Sequence, residues 1–256
     1  MIKQKLSFLL LNLIIAASTI AGTIDTACPQ HAIYGAARGL AVDQELCRTG
    51  YAIGYSYHYK DPVYSVTRLT NTSVKGKVKR TDSFREDTDI PANYRARLSD
   101  YKGTVYDRGH MTPAGDMSWN YTAMIESFYL TNMIPQNASL NRGAWRQLEI
   151  TVREWATIHK DIYVYTGPVF SNNYTSIGNG VAVPQELFKI VYDPTKNMAI
   201  AFVIPNLDIA VTDIPGYIVS IDEVERLTGL DFFPDMPYNK LTVKQQVSTI
   251  EAWSKR

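Results

Sequence analysis

The sequence predicts an α+β protein, on three observations. Residues 51–57 and 63–70 are rich in β-branched and aromatic side chains, and the turn-forming Lys60, Asp61 and Pro62 separate them, so they read as early strands of one sheet. Residues 162–169, 186–192 and 198–204 are apolar runs of strand length, the last two joined as a hairpin across 193–197. Strands that follow one another with few helices between them argue against a doubly wound parallel sheet, where each strand alternates with a helix.

The clearest helix is expected over residues 141–160, with Asn141 as its N-cap. Trp145, Leu148, Val152, Trp155 and His159 recur there at steps of three and four, which gives one face to bulky core groups. His159, last on that stripe, reads as a packed residue, and His31 and His58 read as structural or surface residues. Ser220 with Glu223 three residues later forms a capping box, and Gly229 should end the helix that it opens. A shorter helix is expected over 118–127, a strand over 128–134, and mostly loop over 71–104 with a short helix near 93–98. No internal repeat or Gly/Ser-rich linker divides the chain.

Lys3 and Lys5 precede an apolar stretch, residues 6–17, broken only by Ser7 and Asn12, and small side chains follow at Thr19 and Ala21. This is the pattern of an export signal cleaved before Gly22. The expectation is therefore a signal peptide over 1–21 and one domain over 22–256, secreted or periplasmic, with no stable membrane association after cleavage. An uncleaved anchor is the rival, but the stretch falls short of the roughly 20 apolar residues that span a bilayer. Export implies an oxidising compartment, so Cys28 and Cys47 are expected to form a disulfide; the alternative is a pair of buried thiols. The oligomeric state is left open, a homodimer included.

The net charge is +1, and loss of Lys3 and Lys5 with the leader would leave −1. No global field attracts a polyanion, so any such attraction must be local. Lys75, Lys77, Lys79, Arg80, Arg85, Arg95 and Arg97 form one candidate patch, diluted by Asp82, Glu86, Asp87 and Asp89; a solvated loop reads the same way.

The chemistry concentrates in two places. Asp107, Arg108, Gly109 and His110 put an acid, a cation, a permissive backbone unit and an imidazole at successive positions. A histidine near neutrality takes a proton from water, and an adjacent arginine holds a phosphate; a structural turn with an ion pair would use the same residues. Downstream, Asn141 offers an amide oxygen suited to a hard cation such as Mg²⁺, although on this residue alone an N-cap role is the simpler account. Glu149 and Arg153 lie four apart and share a helix face beside the bulky stripe, which is also the spacing of a surface ion pair.

Together these segments resemble the DNA/RNA non-specific endonuclease family, which includes secreted bacterial nucleases and the endonuclease G group. The resemblance rests on Asp-Arg-Gly-His at 107–110, Asn-x-x-Pro-Gln at 132–136 and Leu-Asn-x-Gly-x-Trp at 140–145, and extends over essentially the whole chain after the leader. It implies a ββα-metal fold with a central, mainly antiparallel sheet flanked by helices. It also implies a magnesium-dependent endonuclease, with Mn²⁺ as an alternative ion, that cuts DNA and RNA to 5′-phosphate ends. His110 would be the general base, Asn141 the metal ligand, Glu149 the residue orienting metal-bound waters and Asp107 a support. Arg108 and Arg153 would hold the scissile phosphate, and Arg80, Asn132 and Gln136 would assist in binding. Two other readings use the same residues: a phosphodiesterase for small nucleotides, and a nucleic-acid-binding module without catalysis.

Overall fold

A computed structural model describes residues 23–255. The chain enters through helix α1 (Ile24–Ala27) and continues as strands β1 (Gln44–Cys47), β2 (Ala52–Ser56) and β3 (Asp61–Thr70). Helix α2 (Leu98–Tyr101), strand β4 (Tyr106–His110), helix α3 (Tyr121–Glu126) and strand β5 (Met133–Asn137) follow, then the consecutive helices α4 (Ala138–Arg142) and α5 (Ala144–His159). Strands β6 (Asp161–Val169), β7 (Thr175–Ile177), β8 (Val181–Val183), β9 (Glu186–Asp193), β10 (Met198–Pro205) and β11 (Ile218–Val219) lead to helices α6 (Ile221–Thr228) and α7 (Ile250–Trp253).

Seven strands form one sheet in the order β1-β2-β3-β6-β9-β10-β11, and each pairs antiparallel with its neighbours. The sheet is covered on both faces, which is why its strands read as unbroken apolar runs and not as alternating ones. Ala199, Ala201 and Val203 of β10 join a core with α6 and the N-terminal segment. Ile200, Phe202 and Ile204 point the other way, into a second core with Trp145, Leu148, Val152 and Trp155 of α5. The hairpin expected across 193–197 forms, with Met198 opposite Asp193. Half of the expected capping box forms: the Ser220 hydroxyl accepts from the Glu223 amide, while the Glu223 carboxylate takes a bidentate pair from Arg226 in place of the Ser220 amide, and Gly229 ends α6 at φ +69°.

His159 closes the α5 stripe as a packed residue, its Nδ1 2.7 Å from Asp193 Oδ2 and its Nε2 2.9 Å from the Trp253 carbonyl oxygen. Cys28 and Cys47 are joined in a disulfide that ties the end of α1 to edge strand β1. The signal expected over residues 1–21 lies outside the described residues.

Several boundaries differ from expectation. The long helix does not begin at Asn141. Asn137 caps α4, its side chain accepting from the Leu140 amide, and Gly143 separates α4 from α5. Asn141 is therefore not a cap, and the N-cap account of it is withdrawn. The strand expected over 128–134 is displaced to β5, because 130–132 form a 3₁₀ turn whose Asn132 is fully engaged with the backbone. The helix near 93–98 begins later, as α2, where Asp100 accepts from the Arg97 amide.

Candidate active site

Strands β4 and β5 form a two-stranded ribbon, and the chain passes from β5 straight into α4 and α5, so that strand, strand and helix make one ββα unit. The register sets Asp107 opposite Gln136, Gly109 opposite Ile134 and His110 opposite Met133. A Cβ on Gly109 would run into the Gln136 side chain, so the glycine is required for close approach between the strands and not for a bend.

The ribbon and α5 border a cavity of about 760 Å³. Asp107, Arg108, His110, Asn141, Glu149, Arg153 and Arg80 all line it, so seven of the residues singled out from the sequence meet in one place. Asn132 and Gln136 do not reach it: both are fully buried. The Asn132 amide accepts from Thr112 N at 2.9 Å and donates to Thr112 O and Ser127 O, which fastens the segment leaving His110. Gln136 packs under Gly109. The substrate-binding role expected for these two is thus replaced by a supporting one, because neither amide is open to a ligand.

His110 is 8% exposed and packs edge-on against Phe84 and Phe128, with ring centroids 5.7 and 5.1 Å away. Burial, and then the nearby guanidinium groups of Arg80 and Arg108, push its pKa down to about 3, so the ring is neutral at physiological pH. Arg108 is itself held over the Phe84 ring at 4.1 Å, and Arg80 over Phe128 at 4.9 Å.

Asp107 organises the part of the wall that carries Asn141. Its carboxylate takes a bidentate pair from Arg142, at 2.6 and 2.8 Å, and accepts from Asn141 Nδ2 at 2.8 Å. Burial works to raise the Asp107 pKa, but Arg142 and Asn141 outweigh it and hold the carboxyl below its usual range. An ionised carboxylate only accepts, so it must face the amide nitrogen of Asn141 and leave Oδ1 for another partner. No hydrogen bond to Oδ1 comes from the described residues. This donor, neutral and hard, fits a small divalent cation that keeps most of its waters.

Glu149 and Arg153 do not pair with each other. Arg153 Nη1 instead binds Asp116 Oδ1 at 2.9 Å. Burial raises the Glu149 pKa, opposed first by Lys189. Lys189 projects from β9 toward α5, is 1% exposed, donates to Thr166 Oγ1 at 2.7 Å and lies over the Trp145 ring. Among the described residues no cluster of three or more His, Cys, Asp or Glu side chains could hold a metal.

Arg142, Arg146, Asp116 and Lys189 escaped the reading of the sequence. Arg142 and Arg146 were accessible to it, since 142, 146, 149 and 153 form a second stripe at steps of four, three and four. Asp116 and Lys189 come from distant segments and carry no sequence signal of their own. Of the expected basic patch only Arg80 lines the cavity; Arg95 and Arg97 donate to backbone carbonyls of the same loop.

This is the arrangement of the ββα-metal nucleases, with a histidine strand and an asparagine helix facing one arginine-lined cavity. The chain belongs to the DNA/RNA non-specific endonuclease family, which it matches over residues 31–239. It is 36% identical over 214 residues to Nuclease C1 of Cunninghamella echinulata var. echinulata, covering 76% of this chain and 84% of that one. With the mitochondrial nuclease EXOG of Xenopus laevis it shares 34% identity over 208 residues, 74% of this chain and 58% of the relative. The chain spans about three fifths of the length of the vertebrate EXOG relatives. EndoG, solved in the EndoG/EndoGI complex to explain its inhibition, superposes with a TM-score of 0.75 at 32% identity, covering 81% of this chain and 91% of EndoG.

These relatives overturn the secreted or periplasmic location read from the N-terminus. Those from Xenopus laevis, Schizosaccharomyces pombe and Saccharomyces cerevisiae are named as mitochondrial nucleases and point to that organelle instead. The physical reason is that basic charge, hydroxyl side chains and a lack of acids, here before Asp25, belong to organelle-targeting segments as well as to export signals.

Proposed function

We propose that this chain is a divalent-metal-dependent endonuclease that hydrolyses phosphodiester bonds of DNA and RNA with little regard for sequence. The observation that carries the proposal is that a neutral imidazole and an uncommitted amide oxygen line the same cavity, among five arginines and two carboxylates. Residues 22–256 act as one catalytic domain in this reading, Mg²⁺ is the working ion and Mn²⁺ an alternative.

His110 is the general base. Its Nε2 is buried without a partner, so Nδ1 takes the proton of the attacking water. Asn141 would supply the protein ligand to the cation, and Glu149 would orient water beside it. Such a cation would supply charge stabilisation at the phosphoryl and leaving oxygens. Arg108 and Arg153 hold the scissile phosphate, with Arg80 beside them. The new P–O bond forms with water as the bond to the 3′ oxygen breaks, which leaves a 5′-phosphate. Every group named addresses phosphate or water, and phosphate contacts carry no base information.

The test is digestion of supercoiled plasmid and of RNA by the purified protein, with Mg²⁺ and with chelator. Acid-soluble fragments from both polymers, and none with chelator, are expected. Hydrolysis of dinucleotides alone would identify a small-nucleotide phosphodiesterase instead.

A further inference from the structure

Beside the cavity lies a second groove of about 400 Å³, and the two share a wall, since Asp107 and Arg108 line both. Beyond that wall the groove is formed by Leu98, Tyr101, Lys102 and Tyr106. Leu98 is 40% exposed although apolar, and Tyr101 is 7% exposed and packs into the core behind it. Lys102 is exposed and forms no ion pair among the described residues. The groove is preformed: Asp100 Oδ1 accepts from the Asn179 amide at 3.0 Å and Oδ2 from the Arg97 amide at 2.7 Å, which pins α2 to the turn between β7 and β8.

An apolar, aromatic trough with one uncommitted cation, next to an arginine facing the catalytic cavity, has the chemistry of a nucleotide site. A base or sugar has flat apolar surface to cover, and the phosphate that follows needs a positive partner. We propose that this groove seats the nucleotide adjoining the scissile phosphate, with Tyr106 and Leu98 against its sugar and base and Lys102 on the next phosphate. The assignment rests on the nuclease reading above and extends it from one phosphate to a strand. It makes Lys102 and Tyr106 binding residues for polymers that play no part in cleaving an isolated diester.

The experiment measures two quantities for wild type, Lys102→Glu and Tyr106→Leu. One is the affinity for a fluorescein-labelled single-stranded dodecamer, read by anisotropy in chelator. The other is steady-state cleavage of the same strand and of bis(p-nitrophenyl) phosphate, a diester without nucleotides. Lys196→Glu, in the β9–β10 turn beside the far end of α5, controls for loss of general charge. Lys102→Glu should raise Kd and KM for the dodecamer about fivefold, the scale of one exposed charge contact. It should also lower the salt slope by about one. Tyr106→Leu should raise KM and leave the salt slope unchanged, and neither variant should alter turnover of the small diester. If Lys102→Glu affects the strand no more than Lys196→Glu does, the groove is not a subsite. If the variants weaken strand binding while wild type cuts nothing with any divalent ion, the subsite stands and the catalytic reading falls.

Discussion

His110 is kept neutral by its position between Phe84 and Phe128 and by the positive charge of Arg80 and Arg108. An imidazole held in this way does not need neutral pH to remain unprotonated. The same feature weakens the fold in acid. The folded pKa lies below that of the unfolded histidine, so above pH about 6.5 both states are neutral and the histidine adds no pH dependence. As pH falls from there toward about 3 the unfolded state takes up the proton first, and stability declines. His110→Gln should lose about 10²- to 10⁴-fold in kcat and show a shallower loss of urea stability between pH 7 and 4 than wild type. Full activity in the variant would remove His110 from the chemistry. Asp107 works through another residue: it holds the Asn141 amide by its nitrogen. Asp107→Ala should shift the midpoint of the Mg²⁺ titration upward by about tenfold or more, the usual cost of losing a partner that orients a ligand. An unchanged midpoint would show that the amide is aimed by other means.

At the scale of elements, the break between α4 and α5 decides where Asn141 points. A continuous helix from 141 would have tied the asparagine to the first turn as a cap. Instead Gly143 lets the chain turn, and a Cβ there would sit 2.7 Å from the Ser139 carbonyl oxygen. Gly143→Ala should cost about 1–3 kcal/mol in urea unfolding, as backbone atoms must move to admit the methyl group. It should also depress activity, because Asn141 lies two residues away. A destabilised variant with wild-type turnover would mean that the break serves folding alone. The β4–β5 ribbon has a matching dependence, since Gln136 occupies the space that Gly109 leaves open.

For the whole molecule, the seven-stranded sheet separates the catalytic side from the side that carries the N-terminal segment and α6. The Cys28–Cys47 disulfide belongs to that second side and closes a loop with a sequence separation of 19. Cys28→Ser with Cys47→Ser should therefore lower stability by roughly 3 kcal/mol in the chain-entropy model and leave kcat at 25 °C unchanged. Loss of turnover in a folded double variant would show that the two sides are coupled.

Local chemistry was sufficient for the strands β2, β3, β6, β9 and β10, for α6 with its cap and stop, and for the bulky face of α5, because periodicity and capping are set by neighbours in the chain. Six of the seven candidate residues that line the cavity were legible for a similar reason, since they fall in two short stretches, 107–110 and 141–153, whose types match the chemistry; Arg80 lies outside both. The tertiary structure alone decided that Asn132 and Gln136 are supports, that Asn141 is free of a capping duty, and that Arg153 answers to Asp116 and not to Glu149. Each of these depends on which groups from distant segments share a buried space. Burial and long-range pairing follow from packing, which no local pattern specifies.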